Sequence, residues 1–194
     1  MARIVVTEFV SLDGVMEDPG GGEEYVHGGW SFEIGRGPEG DKFKLDEALG
    51  AGGLLLGRRT YEGFAAAWPS MEGEFADKFN AMPKYVVSAT LRDPTWNNTT
   101  VLGGDLAGEV ARLKVEAEGD LQVHGSAQLV QGLLEHEFVD ELRLMVYPVI
   151  LGGGKRLFGE SERKQWWRLT DSRTVGDGVS ILVFVPMPSK GGDR

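Results

Sequence analysis

Two short segments of this chain combine glycine with groups that can hold an anion: Gly57-Arg58-Arg59-Thr60 and Gly125-Ser126-Ala127-Gln128. Each follows an aliphatic run, Leu54-Leu55-Leu56 and Leu121-Gln122-Val123. Each precedes apolar residues at helical spacing: Tyr61, Phe64 and Ala65 in one case, and Ala127, Val130, Leu133 and Leu134 in the other. A strand that turns through glycine into a helix presents the unpaired N–H groups of the helix's first turn, where negative charge is favoured. Gly125 lets the backbone approach a ligand closely, and the N–H groups of Ser126, Ala127 and Gln128 suit a pyrophosphate. Arg58 and Arg59 add positive charge in a planar form that matches phosphate better than an ammonium does. That pair stands out in a chain with 20 Lys and Arg against 30 Asp and Glu, a net charge of -10. Each segment also has an ordinary structural reading: a helix-capping turn for Gly125-Ser126, and a solvated pair answering nearby carboxylates for Arg58-Arg59.

Other chemistries lack their residues. Gly152-Gly153-Gly154-Lys155-Arg156 has neither the spacing of a P-loop nor its magnesium-binding hydroxyl. No Gly-x-Gly-x-x-Gly follows the first strand, so the usual dinucleotide fingerprint is missing. His27, His124 and His136 are scattered without metal spacing and read as structural or exposed, so no metal site is expected. There is no Gly-x-Ser-x-Gly elbow, and no cysteine for a thiolate nucleophile, zinc or a disulfide.

The elements that must position the two turns follow from the hydrophobic pattern. Ile4 to Val10 is β-branched and apolar on both faces at its start, which suits a strand buried within a sheet, and it ends in the turn Ser11-Leu12-Asp13-Gly14. Residues 17–40 are dense in glycine, with Tyr25, Trp30 and Phe32 among them, and read as a lid loop over a site, the alternative being a floppy surface insertion. Asp41 to Leu49 reads as a helix with an acidic first turn. Gly53 to Leu56 is a strand, and Thr60 is the expected cap of the helix that ends at Trp68-Pro69. Lys84 to Ser88 and Thr99 to Leu102 are strands, and Leu106, Val110 and Leu113 form one helical stripe. Leu142 to Val146 is a strand running into a continuous apolar stretch to Leu151. Trp166 to Val175 and Val179 to Val185 pair around Gly176-Asp177-Gly178 as an antiparallel hairpin. Strands alternating with helices and then pairing at the end imply a mainly parallel mixed α/β sheet with an antiparallel C-terminal edge.

With 194 residues, 41% hydrophobic and 26% charged, the chain is one folded domain, expected over residues 1–186 with a disordered tail at 187–194. The acidic balance gives no field for nucleic acid or anionic membranes, and no segment approaches the length of a membrane span. The first residues carry no secretory signal, so the expected location is the cytoplasm. The run Leu142 to Leu151 and the pair Trp166-Trp167 offer more apolar edge than a monomer needs, and a homodimer is expected, the alternative being that these strands are simply core.

Five segments in one order are recognisable as a series: Ser11-Leu12-Asp13-Gly14, Leu55 to Glu62, Val86 to Leu91, Val123-His124-Gly125-Ser126, and Asp140 to Gly152. The series resembles the dihydrofolate-reductase-like family that includes the reductase domain of the bifunctional riboflavin-biosynthesis deaminase–reductase. The resemblance implies a sheet of about eight strands flanked by helices, and hydride transfer from NADPH to a pterin, pyrimidine or related nitrogen heterocycle. It implies that Gly57, Arg58, Arg59 and Thr60 face the adenosine and phosphate region and that Ser88 sits by the ribose 2′-phosphate. Gly125, Ser126, Ala127 and Gln128 would hold the pyrophosphate. Val6, Thr7 and the turn of Ser11, Asp13 and Gly14 would border the nicotinamide. A carboxylate on the first helix orients the pterin in dihydrofolate reductase, which makes Asp41 the candidate acid here, its other reading being a charge favourable to the helix N-terminus, while Trp30 and Phe32 are candidate stacking faces for the substrate ring. Many relatives carry Arg or Lys where this chain has Ala89, a phosphate contact worth about 1.5–3 kcal/mol. Riboflavin-pathway reductases usually carry lysine where Val15 stands. Two further readings are therefore kept: a riboflavin-pathway reductase acting on 5-amino-6-(5-phosphoribosylamino)uracil, and a dinucleotide-binding protein without turnover.

Overall fold

The computed structural model describes residues 1–161 and 163–188. Residues 189–194 of the expected tail lie outside the described residues. Eight strands form one sheet: β1 (Ile4–Ser11), β2 (Ala51–Gly57), β3 (Lys84–Val87), β4 (Thr99–Leu102), β5 (Asp120–Val123), β6 (Glu141–Tyr147), β7 (Trp167–Val175) and β8 (Val179–Pro186). Five helices connect them: α1 (Gly37–Gly50), α2 (Arg58–Ala67), α3 (Glu74–Ala81), α4 (Leu106–Glu116) and α5 (Ala127–Glu135). The strand order is β4-β3-β2-β5-β1-β6-β8-β7. The first six strands are parallel, and β8 and β7 run antiparallel at one edge. This is the mixed α/β sheet expected from the order of elements.

Alternation explains the layers. In β2, Leu55 packs with Ile4, Val6, Val110, Leu121, Val130 and Leu133, while its neighbours Leu54 and Leu56 pack with Tyr61, Phe79, Val86 and Trp96. Both faces of the central strands are thus covered, as parallel sheets require. Among the described residues no helix is long and apolar enough to cross a membrane.

Several expectations are corrected. α1 begins at Gly37, four residues before Asp41, because Pro38 sits in its first turn, where a fixed φ and a missing N–H cost nothing. The glycines around Pro38 hide that signal. α3 was not expected; its Phe75 and Phe79, spaced at i and i+4, stack on Trp68. Thr60 does not cap α2: the cap position is Gly57, and Thr60 lies inside the first turn. β6 lies between β1 and β8, so Leu142, Leu144, Met145 and Tyr147 are core rather than an exposed edge. Of that apolar run Ile150 is exposed, and Trp166, Leu169 and Met187 beside β7 add further exposed apolar surface.

Residues 17–36 fold back on the molecule. Trp30 is 2% exposed; its indole N–H donates to Glu17 O (2.8 Å), and its ring meets Tyr147 edge-on at 5.3 Å. Trp30 is therefore an anchor of the segment and not an open stacking face, whereas Phe32 is 77% exposed. On the side of the sheet covered by α1, the Thr7 hydroxyl donates to Glu47 (3.0 Å) and accepts from Lys44 Nζ (2.7 Å). Lys44 and Glu47 pair at 2.6 Å, and Arg143 reaches Glu47 at 3.3 Å, so burial of these charges is matched by partners.

Candidate functional site

The two glycine turns meet. Gly57 ends β2 and Gly125 follows β5, the next strand in the sheet, and Gly57 N–H donates to Gly125 O at 3.2 Å. A Cβ on Gly57 would stand 2.2 Å from Ser126 Oγ and 3.0 Å from Ser126 Cβ, so a side chain at either turn competes for the same space. Gly125 has φ +100°, and a Cβ there would lie 2.9 Å from Thr60 Oγ1, 3.6 Å from Met16 Cε and 3.9 Å from Glu8 Oε1. Neither α2 nor α5 has a side-chain cap, whereas Asp105 caps α4 by accepting from Ala107 N and Gly108 N. The N-termini of α2 and α5 therefore lie side by side, bordered by Thr60, Ser126, Met16 and Glu8. That arrangement suits a pyrophosphate. Arg58 and Arg59 are exposed beside it, Arg58 reaching Glu62 only at 3.8 Å.

Other expected residues sit as follows. Val6 is fully buried in the core on the α4 and α5 side. Thr7 points the other way, into the Lys44–Glu47 pair. Ser88 is nearly buried, and its hydroxyl accepts from Thr90 N (3.2 Å) and Leu91 N (2.9 Å), closing its own turn. Ala127 is buried and Gln128 exposed at the start of α5. Asp41 lies away from the turns: its carboxylate is 65% exposed and pairs with Arg36 Nε at 2.6 Å.

The Ser11–Gly14 turn is a closed knot. Ser11 Oγ accepts from Val15 N (2.9 Å) and donates to Asp13 Oδ1 (2.7 Å), while Gly14 takes φ +79°. Asp13 also accepts from Leu151 N (3.1 Å) and Gly152 N (2.9 Å). The Ser11 hydroxyl and these backbone N–H groups hold its carboxyl down at a pKa of about 2. Arg156 donates to Asp13 O, and Lys155 pairs with Glu17, so both cations after the glycine run are engaged within the chain.

One residue was missed. Glu8 is 7% exposed, and its Oε1 has no hydrogen-bond partner. Burial pushes its pKa well above the usual carboxylate range, and the charge of Lys44 opposes this only in part. The signal was in the sequence: a carboxylate inside Ile-Val-Val-Thr-Glu-Phe-Val, a run apolar enough to be buried on both faces. His124 is held neutral by burial and by Lys44, with its ring against Phe64 and Phe79. Among the described residues no group of His, Asp or Glu could hold a metal ion.

The fold, with its parallel sheet and antiparallel edge, is that of the dihydrofolate-reductase-like proteins. Dihydrofolate reductase from Enterococcus faecalis, complexed with NADP(H), superposes with a TM-score of 0.61 at 12% identity, covering 95% of this chain and 96% of that one. A putative riboflavin biosynthesis protein from Shewanella sp. PV-4 superposes with a TM-score of 0.76 at 22% identity, covering 96% and 99%. Within that class the chain belongs to the RibD C-terminal domain family, which matches residues 2–181. The Bacillus subtilis (strain 168) protein YyaP, itself uncharacterized, is 28% identical over 136 residues, 68% of this chain and 72% of YyaP.

Proposed function

We propose that the protein is an NADPH-dependent reductase of a small nitrogen heterocycle of the pterin or pyrimidine type. The observation that carries this reading is the adjacency of two uncapped helix N-termini at Gly57 and Gly125, in a chain of the RibD C-terminal domain family. Bound NADPH would supply the hydride. The chain's own residues would bind and orient: the α5 N-terminus at the pyrophosphate, Arg58 and Arg59 at the adenosine end, and β1 with Met16 at the nicotinamide end. Arg58 has only a distant partner, which leaves it available to a phosphate. The riboflavin-pathway substrate is the second reading, favoured by the family match. Against it, Lys155 and Arg156 are already paired with Glu17 and Asp13. We also propose a homodimer that covers the apolar surface along β7.

Titration with NADPH and NADH, followed by tryptophan fluorescence, tests the reading. NADPH is expected to bind more tightly. Gly125→Asp places a carboxylate beside these helix N-termini and should weaken binding by at least about a hundredfold. Equal affinity in the parent and the variant would remove the site from its assigned place. Tight binding with no oxidation of NADPH by any pterin or pyrimidine acceptor would favour a binding protein.

A further inference from the structure

We propose that the Glu8 carboxyl is the hydrogen-bond partner of the cofactor's nicotinamide carboxamide. This rests on the reading of the glycine turns as a dinucleotide site. A protonated carboxyl carries one donor and one acceptor side by side, and a primary amide carries the complementary pair. Glu8 O–H would donate to the amide oxygen, and its other oxygen would accept from the amide N–H.

The placement follows from the order of the strands. β5 lies between β2 and β1, so a pyrophosphate at Gly125 has Arg58 and Arg59 on one side and Glu8 on the other. The arm bearing the 2′-phosphate belongs with the guanidinium groups, because charge there is matched. The uncharged nicotinamide arm then runs toward β1. Glu8 Oε1 lies 3.9 Å from where a Gly125 Cβ would be, and Met16 Cε and Thr60 Oγ1 border the same point. An ionised carboxylate there would be buried without a partner and would repel the pyrophosphate; a neutral one does neither. Lys44, the nearest source of positive charge, is committed to Glu47 and Thr7. Glu8 thus holds a buried oxygen, Oε1, whose hydrogen-bonding capacity the protein itself leaves unused.

The test compares the parent with Glu8→Gln and Glu8→Leu, titrated with NADPH and with 2′-phospho-ADP-ribose, which lacks the nicotinamide. Glu8→Leu should weaken NADPH about tenfold or more and leave the fragment within about twofold. Glu8→Gln, which keeps a donor and an acceptor, should stay within about threefold for both. Unchanged NADPH affinity in Glu8→Leu, or equal losses for both ligands, would overturn the proposal. If Glu8→Leu does not fold, infrared spectra of the parent against Glu8→Gln decide. The protonated-carboxyl C=O band assigned to Glu8 should shift on adding NADPH and stay put on adding the fragment; no shift with NADPH overturns the proposal. A parent that binds neither ligand would overturn the dinucleotide reading itself, and this inference with it.

Discussion

Two carboxylic acids on or next to the same strand are driven in opposite directions by their surroundings. Asp13 accepts from a hydroxyl and two backbone N–H groups and stays ionised down to a pKa of about 2. Glu8 has a buried oxygen with no donor and is pushed well up. Linkage then fixes the sign of each effect on stability. Asp13, depressed from 3.8, stabilises the fold above about pH 4, and that contribution disappears as the pH falls toward 2. Glu8, raised from 4.5, behaves oppositely: folding is least penalised below its unfolded value and loses ground as the pH rises from there. Urea midpoints measured across the acid and neutral range should therefore show Asp13→Asn converging on the parent in acid. Glu8→Gln should gain on the parent from about pH 4.5 upward. If Glu8→Gln and the parent run parallel throughout, Glu8 is ionised in the folded protein.

At the scale of elements, the close approach of neighbouring strands is set by positions where a side chain does not fit. Gly52 lies at the irregular register between β2 and β5, and a Cβ there would stand 1.9 Å from Glu118 O and 2.9 Å from Gly119 Cα. Those are backbone atoms and cannot rotate away. Gly50, two residues earlier at the end of α1, would place its Cβ in open space. Chemical denaturation should find Gly52→Ala destabilised by about 1–3 kcal/mol or more and Gly50→Ala neutral or stabilised by up to about 1 kcal/mol. Similar values for the two would mean that β2 and β5 are not held this close. The strand and helix types in this region were readable from period and composition. What Gly52 and Gly57 must avoid was not, because the obstructing atoms come from Glu118 and Ser126, far along the chain.

For the whole molecule, β7 is one of the two edge strands, the other being β4, and the apolar side chains near β7 are half exposed: Trp166 at 52%, Leu169 at 48% and Met187 at 41%. An edge strand with one side unpaired and such neighbours is the kind of surface that association covers. On the proposal of a homodimer, sedimentation should report twice the 21.1 kDa chain mass, and Trp166→Asp should shift the population to monomer without unfolding it. A monomeric parent at high concentration would rule the dimer out. The sequence located the apolar excess partly in Leu142 to Leu151, of which the sheet order instead places Leu142 to Tyr147 in an interior strand. A strand's own pattern shows that it is apolar, and not whether it has one neighbour or two.

Local pattern was enough for the succession of strands and of every helix but α3, for the antiparallel close around Gly176-Asp177-Gly178, and for the two glycine turns. Each of these depends on local periodicity or on a backbone position that only glycine fills easily. Tertiary structure decided the rest. It brought the two turns together, swung Thr60 toward Gly125 instead of leaving it as a cap, and buried Trp30 against Tyr147. It also left Asp41 in solvent with Arg36 and isolated one oxygen of Glu8 beside the turns. The reason is that partnership is a property of pairs: whether a buried polar atom is satisfied depends on residues that only folding makes its neighbours.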